Sequence, residues 1–163
     1  MTANSIHKNL FQAFVDSDIE VFKYLHNTMS EETALKIVNE GFQFEDRLDY
    51  TTDLVSGKDL VQLDYFRLIR KKYGTYTIVI HIGKNLLNRY NKMLTNSSTF
   101  FYEIISDCLP HKSSDGENLY VLNKQFIKGY FNHNNNTFYE SKHYNPTKIL
   151  DAFEQRAKNI QKI

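Results

Sequence analysis

The sequence predicts an α+β fold with a mostly antiparallel sheet. Two observations carry this. Strand-like and helix-like segments succeed one another without the regular β-α alternation of a doubly wound sheet. Two aromatic runs, Phe126 to Phe131 and Phe138 to Glu140, flank His133-Asn134-Asn135-Asn136-Thr137, and Asn tolerates the positive φ of a hairpin turn.

Taken in order, Asn4 to Val15 reads as a helix, because Ile6, Leu10 and Phe14 recur every fourth residue beside Phe11 and Val15. Val21 to His26 is short, aromatic and β-branched, which predicts a strand. Thr28 to Glu40 predicts the best helix. Ser30 suits the N-cap, Glu31 and Glu32 sit in the positive first turn, Gly41 suits the position after the end, and Ala34, Ile37 and Val38 form the apolar face. Phe42 to Tyr50 is expected to be extended. Lys58 to Lys72 predicts a helix carrying Leu60, Leu63 and Phe66, and its basic end (Arg67, Arg70, Lys71, Lys72) reads as a solvated face. Thr77 to Ile82 is the clearest strand, and Lys84 to Leu94 reads as a helix. Ser97 to Glu117 is ambiguous, with a loop at its Ser-Ser-Asp-Gly-Glu end. Leu119 to Leu122, Phe126 to Phe131 and Phe138 to Glu140 predict strands. Thr147 to Ile163 predicts a closing helix with Ile149, Phe153, Ala157 and Ile160 on one face.

The chain of 163 residues is expected to form one domain, residues 1–163, with a helix at either end. Its 41% hydrophobic and 24% charged residues exclude disorder, collagen and coiled coil as descriptions of the whole. Lys+Arg 20 against Asp+Glu 19 argues against a dedicated duplex-DNA binder. The single Cys108 excludes an internal disulfide and a Cys-based zinc site. The six scattered histidines show no metal-ligand spacing, so no metal is expected. No segment has the apolar core of a signal peptide or the length of a membrane span, which predicts a soluble, cytoplasmic protein without membrane partners. A toxin or effector exported without a cleavable signal has the same character. P-loop, Rossmann glycine, HExxH and nucleophile-elbow patterns are absent.

The chemically informative segment is Tyr24-Leu25-His26-Asn27-Thr28, followed by the amphipathic helix with Ile37 and then Glu40-Gly41-Phe42. Leu48-Asp49-Tyr50-Thr51-Thr52-Asp53-Leu54-Val55-Ser56 follows, and Asn123-Lys124-Gln125-Phe126-Ile127-Lys128-Gly129-Tyr130 comes late. This series resembles the three motifs of the ADP-ribosyltransferase fold in its diphtheria-toxin and poly(ADP-ribose) polymerase branch. Those motifs are a strand ending His-Gly-(Ser/Thr), a strand with Tyr, and a late strand with Glu. Asn27 stands for the usual Gly and Gln125 for the usual Glu. The resemblance spans about His26 to Tyr130.

The resemblance implies a split antiparallel sheet with flanking helices and a cleft between its halves. It implies NAD as substrate, with His26 orienting the nicotinamide ribose and Asn27 offering its main chain to the nicotinamide amide. Thr28 would bond near the adenosine ribose, and Tyr50 would stack on the nicotinamide ring, with Thr52 beside it in the cofactor site. The Asn27 side chain is expected to crowd a place that has no Cβ in the family. Gln125 keeps hydrogen-bonding capacity but loses the charge that stabilises an oxocarbenium-like transition state. That argues against polymer formation. The expected activity is transfer of one ADP-ribose to a protein or nucleic-acid acceptor, or to water, with His26, Tyr50 and Gln125 as the catalytic set. Glu117 and Glu140 are candidates for a replacement carboxylate. One alternative is an inactive module that binds NAD, ADP-ribose or a protein. Another is an RNA 2′-phosphotransferase, for which Arg47 is the only arginine near a motif.

Overall fold

The computed structural model describes residues 20–45, 53–54, 74–93 and 100–161. The predicted helices at Asn4–Val15 and Lys58–Lys72 lie outside these residues, as do Tyr50, Thr52 and Arg47.

The fold is α+β, with two antiparallel sheets. Strand β1 (Val21–Thr28) continues two residues past His26. Helix α1 (Glu31–Glu40) starts after Ser30, whose hydroxyl accepts from the Thr33 amide at 3.4 Å, and stops at Gly41. β2 (Phe42–Glu45) follows at once, and β3 (Asp53–Leu54) is short. β4 (Tyr76–Gly83) leads directly into α2 (Lys84–Tyr90) and a 3₁₀ turn at Asn91–Met93. A π-helical turn at Phe100–Ile104 precedes β5 (Ser106–Lys112). β6 (Asn118–Leu122), a 3₁₀ turn at Lys124–Phe126, β7 (Ile127–Asn132), β8 (Thr137–Glu140) and α3 (Asp151–Gln161) complete the order.

The larger sheet runs β3-β1-β4-β7-β8 and the smaller β2-β6-β5. Register aligns Phe22 with Ile82, Tyr24 with Ile80 and His26 with Ile78. Alternation puts these six on one face of the sheet. That face packs on Ala34, Ile37 and Val38 of α1, on Phe42 and Phe44 of the smaller sheet, and on Phe153 and Ala157 of α3. Leu25 and Val79 point the other way and are also fully buried. The β7–β8 hairpin closes through the Asn turn as expected, with Asn136 at φ 59°.

Four elements depart from the sequence reading. Helix α1, expected from Thr28, starts at Glu31, because Thr28 still pairs with Tyr76 in β1. The ambiguous stretch contains β5, an edge strand of sequence SDCLPHK. Pro110 is compatible with an edge, because an unpaired N–H is not needed there. The third-motif strand begins at Ile127. Gln125 lies before it in the 3₁₀ turn, where the Asn123 side chain accepts from the Gln125 amide at 2.9 Å. The closing helix begins at Asp151, not Thr147. The carbonyls of Asn145 and Lys148 accept from the Gln125 side chain, that of Pro146 from the Gly83 amide, and that of Thr147 from Asn85 Nδ2. Carbonyls engaged sideways are withdrawn from a helical ladder.

Candidate functional site

Both sheets and α1 meet in a cleft of about 470 Å³, within the size range of small-molecule sites. His26 enters it from β1, its ring edge-on to Phe42 at a centroid distance of 5.0 Å. Thr33, Lys36, Ile37 and Glu40 enter from α1. Their spacing of three, one and three residues puts them on one helical stripe. Phe42 and Gln43 of β2, Val121 of β6 and Leu109 of β5 supply the opposite wall. One wall therefore carries a hydroxyl, an ammonium and a carboxylate, and the other is largely aliphatic and aromatic.

Gly41 makes the corner between α1 and β2. Its φ is 100°, and a Cβ there would lie 2.5 Å from the Leu122 carbonyl oxygen and 2.9 Å from Val121 Cγ2. Only glycine lets the chain turn this closely against β6, and the turn sets Phe42 beside His26. The helix is pinned at its other end. Tyr130 Oη donates to Glu31 Oε2 at 2.7 Å, and Tyr130 shares a row of the sheet with Ile78 and His26. Burial, and then the Glu31 carboxylate, push the Tyr130 hydroxyl pKa well above the ordinary tyrosine value. Tyr24, on the same sheet face, is pushed up to about 12 by burial.

The expected site residues divide as follows. His26 lines the cleft. The Asn27 side chain turns to the opposite face of the sheet, so it does not crowd His26. Asn27 Nδ2 donates to the Gly74 carbonyl at 3.0 Å, and Thr77 Oγ1 donates to Asn27 Oδ1 at 2.9 Å. Thr77 Oγ1 also lies 2.7 Å from His133 Nε2. The one hydroxyl proton goes to Asn27, so His133 Nε2 is the donor in that pair. Thr28 ends β1 opposite Tyr76 and is not part of the cleft wall. Tyr50 and Thr52 lie outside the described residues. The described end of their segment, Asp53–Leu54, pairs with Leu25 and Tyr24, beside His26.

Gln125 is not brought to His26. It lies at the other end of the sheet, 5% exposed, with Nε2 donating to the Asn145 carbonyl at 3.1 Å and the Lys148 carbonyl at 2.8 Å. Glu117 belongs to the β5–β6 turn and Glu140 to the β8 edge, so neither lines the cleft. The carboxylate that does line it is Glu40. Sequence reading missed Glu40 and Lys36, although the i, i+3/i+4, i+7 stripe from Thr33 was available on the predicted helix. Val121 and Leu109 had no such signal, because only sheet pairing brings them in.

Among the described residues no group of His, Cys, Asp or Glu is arranged to hold a metal, and no helix is long and apolar enough to cross a membrane. Comparison of the chain with family models, with characterised proteins and with solved structures finds no match in any of the three.

Proposed function

We propose that this cleft binds NAD and that the protein cleaves it, transferring one ADP-ribose to an acceptor or to water. The observation that carries the reading is that His26 and the Glu40 carboxylate line the same cleft. Cleavage of the nicotinamide–ribose bond releases neutral nicotinamide and leaves the positive charge on the ribose. An acceptor oxygen then adds and gives up its proton. A carboxylate at the cleft stabilises that developing charge, and because Glu40 is exposed, solvent screening keeps its share to about tenfold in rate. Glu40 takes this role, His26 orients the ribose, and Tyr50 is retained as the nicotinamide partner on the strength of the motif resemblance.

A second reading, binding without turnover, is favoured by the distance of Gln125 from the cleft. The phosphotransferase reading has no comparable support. Incubating the protein with labelled NAD, with and without protein and RNA acceptors, separates these readings. Nicotinamide release that falls about tenfold in Glu40→Gln, and is lost in His26→Ala, is the expected result. Saturable binding without release would leave the binding module. Absence of both would overturn the NAD reading.

A further inference from the structure

We infer that the cleft fixes the polarity of its ligand and discriminates oxidised from reduced nicotinamide, with Glu40 facing the cationic ring and Lys36 the pyrophosphate. This rests on the NAD reading above and goes beyond it, because it assigns selectivity to two side chains on α1. Three observations support it. First, Lys36 and Glu40 both line the cleft. Their spacing of four residues puts their Cβ atoms about 5–6 Å apart along the helix, and a single ribose separates the nicotinamide ring from the pyrophosphate over a similar span. Second, the wall facing them is largely apolar: Val121 and Leu109, beside the edge of the buried Phe42, offer a ring an apolar surface near Glu40, which immediately precedes the Gly41–Phe42 corner.

Third, Glu40 stands at the wrong end of its helix for stability. It is the last residue of α1, where the backbone dipole is negative, and no basic residue occupies that last turn. Glu31 and Glu32 occupy the favourable end. An acid kept where the helix disfavours it, facing a cleft, fits a cationic ligand group.

The charges of the candidate ligands make the inference testable. NAD⁺ carries a cationic ring and a pyrophosphate, NADH a neutral ring and a pyrophosphate, and ADP-ribose a pyrophosphate alone. A carbocyclic, non-cleavable NAD⁺ analogue, NADH and ADP-ribose are titrated calorimetrically into wild type, Lys36→Met, Glu40→Gln and His26→Ala. Wild type is expected to prefer the cationic analogue over NADH. Glu40→Gln should lose about fivefold in affinity for that analogue alone, which erases the preference, and Lys36→Met should lose about fivefold for all three. Both variants should melt no lower than wild type, which separates ligand loss from unfolding. Equal effects of Glu40→Gln on all three ligands, or none, would overturn the inference. So would an unchanged Lys36→Met. If His26→Ala still weakened every ligand in that case, the NAD site would stand without this polarity. No binding of any probe by wild type would remove both.

Discussion

Gln125 has a structural part that its place in the sequence does not announce. Its place before Phe126-Ile127 invites comparison with a glutamate motif, and in the fold its amide acts as a clamp. It ties the turn before β7 to the carbonyls of Asn145 and Lys148. Only an amide or another donor can do this. Gln125→Glu would set a carboxylate oxygen against two carbonyl oxygens in a buried place. We expect it to destabilise the fold by about 2–4 kcal/mol and to bring no gain in nicotinamide release. Urea unfolding and the release assay check this together. Higher turnover without loss of stability would return Gln125 to the catalytic centre. The placement of His26 beside Phe42 was legible because its strand, helix and Gly-Phe corner are all local. The amide clamp was not, because its partners lie 20 and 23 residues away.

At the scale of elements, local signals succeeded where they were complete. The Ser30 cap, the acidic first turn and the Gly41 stop are where the sequence places them, and α1 ends at Glu40 as expected, although it starts at Glu31 and not at Thr28. They failed where tertiary contacts decide. β5 carries Pro110 and no clean alternation, and it is a strand because β6 pairs with it, with an irregularity between Cys108 and Lys112. The start of α3 is set by carbonyls committed to Gly83, Asn85 and Gln125. Helix α1 also carries a stability cost at its site end. Removing the Glu40 charge relieves an unfavourable interaction with the helix dipole of about 0.3–1 kcal/mol. Glu40→Gln is therefore expected to raise the urea midpoint slightly while it impairs the cleft, the trade typical of functional residues. A lower midpoint would mean that Glu40 supports the fold and that its exposed position at the cleft is incidental.

Both faces of the central strand β4 are buried, and the phenols packed beside it store a dependence on alkaline pH. Tyr24 lies between β3 and β4, on the face covered by the core, and burial holds its pKa at about 12 against 10.0 in the open chain. The folded state keeps a proton that the unfolded chain releases first. The stability is thus fully present below about pH 10 and is lost as the pH rises towards 12. At pH 11 the loss from Tyr24 alone is about 1 kcal/mol. Tyr130 shifts in the same direction, from burial and the Glu31 carboxylate. Urea midpoints at pH 8 and pH 11 measure the slope. Wild type should fall, Tyr24→Phe should fall less by about that amount, and Tyr24→Phe with Tyr130→Phe should fall least. Tyr130 shares the Ile78 row with His26 and holds Glu31 of α1, and Tyr24 lies on the same face two residues before His26, so the same loss should open the cleft. Binding by wild type should weaken above pH 10 in parallel with the urea midpoint, and Tyr24→Phe should delay both. An identical fall in wild type and Tyr24→Phe would place the alkaline sensitivity elsewhere in the chain.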